Sequence, residues 1–163
     1  MNGDETRIAV ISDTHGLLRR SVVRELEDCA HILHAGDIIL ESDLDELSLY
    51  GNLYAVRGNN DRWTRGLRDL ADYLRFQIGG VSFLMIHDRM DLPRGLEGTD
   101  VVIYGHTHRY SEEWRDGRLW LNPGSCGRSR FGSGVTMAKL TLRGGRVSRV
   151  ERIDLEDAGE ERY

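Results

Sequence analysis

Short apolar runs alternate with polar, glycine-rich breaks along most of this chain. The runs Ile8–Ile11, Ile32–His34, Leu53–Val56, Val81–Ile86 and Val101–Tyr104 are four to six residues or fewer, so they read as buried strands rather than helices. Two stretches among the first three runs have a different period. Leu18, Val22, Leu26 and Cys29 recur at helical spacing and predict a helix over about 17–29. Leu40, Leu44 and Leu47 predict a second over 41–50, with Ser42 or Asp43 as its cap and Gly51 as its end. Strand–helix alternation of this kind predicts βαβ units and parallel pairing.

The second half is patterned for hairpins. Gly79-Gly80 separates Tyr73–Ile78 from Val81–Ile86, and Asp116-Gly117 separates Glu112–Arg115 from Arg118–Leu121. Gly144-Gly145 separates Val135–Leu142 from Arg146–Ile153. Such dipeptides supply the positive φ that two-residue turns need. The simplest architecture is α/β: two packed sheets with helices outside, in one domain over 1–163 with a core of about 7–155. The acidic tail 156–163 lacks periodicity and is expected to be mobile.

The apolar runs share one further property: each delivers a potential metal ligand at its carboxyl end, where α/β sheets place binding sites. Asp13-Thr14-His15 follows the first run, Gly36-Asp37 the second, and Gly58-Asn59-Asn60-Asp61 the third. His87 follows the fourth and Gly105-His106-Thr107-His108 the fifth. Any one of these alone would be a turn or cap more often than a ligand. Five in order point to a metal site built from Asp13, His15, Asp37, Asn59, His87, His106 and His108. Two Asp, one Asn and four His without Cys suit a transition ion such as Mn²⁺, Fe²⁺, Zn²⁺ or Ni²⁺, and are too nitrogen-rich for a dedicated Ca²⁺ or Mg²⁺ site. His31 receives no role, and His34 either supports a ligand or packs.

Composition narrows the partners. A net charge of −5 argues against a nonspecific nucleic-acid binder. No apolar run approaches the length of a membrane helix, and the acidic start is unlike a signal peptide, so a cytoplasmic location is expected. Cys29 and Cys126 lack metal-type spacing and read as reduced packing thiols.

Together these motifs resemble the calcineurin-like metallophosphoesterases, in order, over about residues 7–155. Asn122-Pro123-Gly124-Ser125 also resembles the loop after the last histidine motif in its small members, the YfcE-like phosphodiesterases. The resemblance implies a four-layer α/β/β/α sandwich of two mixed sheets. It implies one ion among Asp13, His15, Asp37 and His108, and a second among Asp37, Asn59, His87 and His106, with Mn²⁺ favoured. Asp37 would bridge the ions, Asp61 would support His15 or another ligand, and Asn60 with His106 would contact the phosphate. The implied activity is hydrolysis of a small phosphodiester by a hydroxide activated between two divalent ions. Alternatives are a phosphomonoesterase, a nucleotide hydrolase, or a scaffold like the retromer subunit that shares this fold; a homodimer through an exposed hairpin edge is a further expectation.

The chain also departs from the pattern. Asn60 stands where many relatives carry a histidine that helps protonate the leaving group, which implies a preference for leaving groups needing little protonation. Asp88 follows His87 where many relatives have Gly, and the stretch to His106 is short and broken by Pro93 and Gly95. Trp63, Arg65, Arg68, Arg128 and Arg130 are candidates for a substrate pocket, since guanidinium suits phosphate recognition.

Overall fold

The computed structural model describes residues 4–128 and 134–155. Among these residues, ten strands form two five-stranded sheets. The first sheet holds β1 (Glu5–Ile11), β2 (His31–His34), β3 (Asn52–Ala55), β9 (Thr136–Arg143) and β10 (Arg146–Asp154), in the order β10-β9-β1-β2-β3. The second holds β4 (Tyr73–Ile78), β5 (Val81–Ile86), β6 (Val101–Ile103), β7 (Tyr110–Arg115) and β8 (Arg118–Pro123), in the order β4-β5-β6-β8-β7.

The βαβ expectation holds for β1, β2 and β3, which pair in parallel. All three hairpins form, and each turn dipeptide has positive φ at both positions, the geometry whose twist matches antiparallel strands. Three pairings lay beyond local pattern. The last hairpin joins the first sheet, with β9 antiparallel to β1, and β6 runs parallel to both β5 and β8.

Both helices are shorter than their periodicity suggested. Helix α1 covers only Arg20–Glu25, because Arg19 is held extended (φ −78°, ψ 147°) and is buried with its Nε donating to the Gly127 carbonyl. Beyond Glu25 the chain tightens into single turns, Leu26 N–H bonding Val23 and Cys29 N–H bonding Leu26. Helix α2 covers Glu41–Ser48. Neither Ser42 nor Asp43 caps it: both lie inside the helix, and Leu40 takes the cap position without a side-chain bond.

The core follows from the alternation of the strands. Ile8, Val10, Leu33, Ala138 and Leu140 from the first sheet meet Phe83, Met85, Val101, Ile103 and Leu121 from the second. The opposite face of the first sheet, with Ala9, Ile11, Ile32 and Met137, is covered by Val22, Val23, Leu26 and Leu47 of the helical segments. Each buried Val, Leu, Ile, Phe or Met among them contributes about 1.5–3 kcal/mol. Lys139 of β9 reaches Glu25 at 2.8 Å and Asp28 at 2.9 Å and so pins the α1 segment to the sheet. Over the second sheet the outer layer shrinks to a 3-10 turn, Arg89–Asp91, and a loop through Pro93 and Gly95. The Arg89 guanidinium lies 5.5 Å from the Tyr104 ring and 5.6 Å from the Trp120 ring, which fastens this turn to the sheet.

Cys29 and Cys126 are buried free thiols, each pushed up to about 12 first by burial, so they are packing groups as expected. No helix among the described residues is long and apolar enough to cross a membrane. Arg130 and the tail 156–163 lie outside the described residues.

Candidate metal centre

The facing sheets bring the carboxyl ends of β1, β2, β3, β5 and β6 to one edge, and the loops beyond those ends are laced together by backbone bonds. Asp13 N–H bonds the Gly36 carbonyl, His15 N–H that of Asp37, and Gly16 N–H that of Ile38, at 2.9–3.0 Å. Gly105 N–H bonds the His87 carbonyl at 2.9 Å, joining the two histidine loops. Close approach dictates two glycines here. A Cβ on Gly58 would lie 2.1 Å from Asp37 Oδ1, and one on Gly105 would lie 2.1 Å from Ser12 Oγ.

The chain bends sharply where it presents side chains. Asp13 (φ 55°), His15 (φ 47°), Asp37 (φ 59°), His106 (φ 74°) and His108 (φ 62°) all lie in the left-handed region. Ile39 (φ 73°) does too, which a β-branched residue rarely tolerates. Each such residue costs on the order of 1–3 kcal/mol, and this kind of strain clusters at functional sites.

Asp61 is what holds the Asp37 loop in that shape. Its Oδ1 accepts from Ile38 N–H (2.8 Å) and Ile39 N–H (2.9 Å), and its Oδ2 from Asp37 N–H (2.9 Å) and Gly58 N–H (2.8 Å). The candidate ligand it supports is Asp37 and not His15: fully buried beneath the loops, Asp61 holds that residue by its backbone N–H. Asn60, expected to contact the phosphate, meets Asp37 here. Its Nδ2 donates to Asp37 Oδ2 at 2.9 Å and its N–H to Asp37 Oδ1 at 2.9 Å, so the residue orients a carboxylate.

Six of the seven candidate ligands converge directly. Asp37 Oδ2 lies 3.4 Å from both His15 Nε2 and His87 Nε2. Asp13 Oδ1 lies 3.3 Å from His108 Nε2, 3.6 Å from His15 Nε2 and 3.9 Å from His87 Nε2. His15 and His108 bring their Nε2 atoms to 3.2 Å, and His106 Nδ1 lies 3.3 Å from His87 Nε2. Asn59 is exposed and lines the same cavity as His87 and His106.

The donor set fits divalent cations. Asp13 Oδ2 accepts from Ser12 Oγ (2.6 Å) and His106 N–H (3.1 Å), whereas its buried Oδ1 has no hydrogen-bond partner among the described residues. That orphaned oxygen faces imidazole nitrogens, and when these are neutral the cluster consists of acceptors aimed at one another. A cation removes the conflict. Ligand atoms on an ion at about 2.0–2.2 Å sit roughly 3.0–3.5 Å apart, close to the separations seen here. Two overlapping groups, Asp13–His15–His108 and Asp13–Asp37–His87, each bring their ligand atoms within 4.8 Å of one another.

Electrostatics agree. Burial alone would raise the Asp13 carboxyl, but the His108 and His15 rings outweigh it and hold it well below the usual carboxylate range. Asp37 is pulled down to about 2 against its burial by His87 and the Asn60 donors. Burial lowers His87, yet its bond to Asp37 and the Asp13 charge raise it to about 9. Since an ion must displace that proton, Mn²⁺ affinity of the metal-free protein is expected to rise about tenfold per pH unit below about pH 9, with about one proton released on binding. Isothermal titration calorimetry in buffers of differing ionisation enthalpy checks this, and a pH-independent affinity would place His87 outside the centre.

Several residues around the ligands take definite supporting roles. His34 is fully buried and bridges two ligand loops: one ring nitrogen lies 3.0 Å from Thr14 Oγ1, and the other accepts from Gly36 N–H at 3.1 Å. Burial drops it to about 4, so it serves as a neutral strut. Asn122 donates to the Gly105 carbonyl and to Thr107 Oγ1, both at 3.0 Å, and Ser125 Oγ donates to the Asp13 carbonyl at 2.9 Å. His87 Nδ1 lies 2.7 Å from the Ala35 carbonyl, which fixes that nitrogen as the donor and turns Nε2 toward the cluster. Asp88 caps the 3-10 turn through Met90 N–H and lies 3.7 Å from His106 Nε2, so this departure reshapes the loop and leaves His87 in place.

With this geometry in hand, the comparisons are specific. Residues 6–145 match the calcineurin-like phosphoesterase superfamily domain. The chain belongs to that superfamily. A phosphodiesterase of Methanocaldococcus jannaschii is 30% identical over 141 residues, spanning 74% of this chain and 84% of that protein. Among solved structures, an archaeal phosphodiesterase superposes with a TM-score of 0.74 at 26% identity, covering 92% of this member and 100% of that chain. Vacuolar protein sorting 29 of Cryptosporidium parvum gives 0.73 at 18% identity, with 92% and 98% covered, a likeness of fold. Family membership makes the chain a metallophosphoesterase with divalent metal ions as its cofactor.

Proposed function

We propose that this family member hydrolyses phosphodiesters with two divalent ions, Mn²⁺ in preference to Fe²⁺, Zn²⁺ or Ni²⁺. The observation that carries the reading is Asp37 Oδ2, which lies 3.4 Å from both His15 Nε2 and His87 Nε2, so that one carboxylate is within reach of both imidazoles. In the proposed arrangement Asp13, His15, Asp37 and His108 hold one ion, and Asp37, Asn59, His87 and His106 the other. Ions held there supply Lewis-acid activation of the phosphoryl oxygens and of the attacking water.

The chain's own residues set the rest. Asn60 fixes both oxygens of Asp37, so the carboxylate needs little reorganisation during turnover. His106, the most exposed of the cluster's imidazoles with 43% of its side chain accessible, stands on the substrate side. An amide at position 60 cannot donate a proton to a leaving alkoxide, which favours diesters with stable leaving groups.

The test is hydrolysis of bis-p-nitrophenyl phosphate by chelator-stripped protein before and after addition of Mn²⁺, with p-nitrophenyl phosphate alongside. Restored turnover of the diester, exceeding that of the monoester, is expected. Measured metal binding without turnover of either ester under any of the four ions would overturn the proposal.

A further inference from the structure

An imidazole that gives one ring nitrogen to a cation carries its proton on the other, and that N–H needs an acceptor to hold the ring in place. For His87 the acceptor is the Ala35 carbonyl, 2.7 Å from Nδ1. His106 poses the same problem in a harder form. Its Nδ1 is turned to the cluster, 3.3 Å from His87 Nε2, which leaves Nε2 for another partner. Its side chain is the most exposed of the cluster's imidazoles, and its backbone is held in the left-handed region at φ 74°.

The group facing Nε2 is Asp88, whose Oδ2 lies 3.7 Å away. That carboxylate is itself anchored. Its Oδ1 accepts from Met90 N–H at 3.0 Å, and the Asp88 carbonyl accepts from Asp91 N–H at 3.0 Å. The next residue, Arg89, lays its guanidinium against the Tyr104 and Trp120 rings. One oxygen of Asp88 is thus committed to the turn, and the other is left for the ring. Because Asp88 directly follows His87, the end of β5 supplies one ligand together with the acceptor for a second. The bond from Gly105 N–H to the His87 carbonyl, at 2.9 Å, ties the same two loops together.

We propose that Asp88 is a positioning residue: its Oδ2 accepts the Nε2–H of His106 and aims Nδ1 at the second ion of the centre. The 3.7 Å separation exceeds a hydrogen bond, and a small turn of the exposed ring closes it. This rests on the two-ion reading above, in which His106 belongs to the second site. Asp91 lines the same cavity with the same charge, but makes no contact with His106 among the described residues. Contact, rather than charge, therefore distinguishes Asp88.

Calorimetric titration of the metal-free protein with Mn²⁺ reads this independently of turnover, the second site being the step that His106→Asn weakens. Asp88→Asn keeps an oxygen for the Met90 N–H but sets an amide N–H against the ring N–H. It is expected to weaken the second ion about 10–100-fold and the first less than about threefold. Asp91→Asn is expected to change either ion less than about threefold. His106→Asn keeps an amide oxygen for the ion and lacks a distal ring nitrogen, so in that background Asp88→Asn is expected to add less than about threefold.

An equal loss in both backgrounds would mean that Asp88 acts through the turn, and would overturn the assignment. So would an unchanged second-ion affinity in Asp88→Asn, or an equal loss from Asp91→Asn. In each of these cases the parent protein still binds two ions, and the two-ion reading survives. Binding of a single ion by the parent protein would overturn both.

Discussion

Asp37→Asn is expected to lower Mn²⁺-dependent hydrolysis of bis-p-nitrophenyl phosphate by at least about 10³-fold, because electrophilic activation contributes several kcal/mol to such a transition state. The substitution keeps shape and keeps a residue type that accepts the left-handed backbone at φ 59°. It removes one of two oxygens and the negative charge that stands 3.4 Å from both His15 and His87. It also sets an amide against the Asn60 donors, which now hold both carboxylate oxygens. Metal stoichiometry by calorimetry, read beside circular dichroism, separates loss of ion from loss of fold. Activity within about tenfold of wild type with unchanged stoichiometry would remove Asp37 from the bridging position.

Asp61→Asn carries the second largest expectation, and it acts on both stability and activity. The carboxylate accepts four backbone N–H groups, two on each oxygen, at 2.8–2.9 Å. An amide can satisfy only one such pair and must turn N–H groups toward the other. Two buried donors left without acceptors cost about 1–3 kcal/mol each. For a chain of 163 residues that corresponds to a fall in Tm of roughly 5–15 °C. Metal affinity is expected to fall about 10–100-fold as well, because the Asp37 loop loses its anchor. Thermal melts with and without Mn²⁺ check both parts, and an unchanged Tm together with unchanged affinity would contradict this account of Asp61.

The ligand motifs were legible in sequence because each is local. An apolar run sets a strand, and the polar residue at its end is aimed at the sheet edge whichever strands become neighbours. That is why Asp13, His15, Asp37, His87, His106 and His108 could be placed together without knowing that β9 inserts beside β1. The same locality explains the hairpins, whose turn dipeptides demand positive φ by themselves.

What sequence missed depends on contacts between distant segments. Asp61 is nominated as a support for a ligand, but only the fold brings the amides of Ile38 and Ile39 to its oxygens. The late start of α1 accompanies an extended Arg19 bonded to Gly127, a contact that no periodicity can report. Nearness in sequence also misled. Trp63, Arg65 and Arg68 follow the Asn-Asn-Asp motif but are exposed, Trp63 by 87%, and none of them lines the cavity at His87 and His106. Arg57 and Arg62 line it instead, while Arg128, nominated from its place after Ser125, does stand beside His15 and His108.

The division of the donor set between the sheets has one more consequence. Asp13, His15, Asp37 and Asn59 follow strands of the first sheet, and His87, His106 and His108 follow strands of the second. An ion shared by these groups is therefore a rivet through two plates, driven at one edge of the sandwich. Neither plate alone offers a complete socket, so the grip on the ion and the docking of the two halves draw on one free energy.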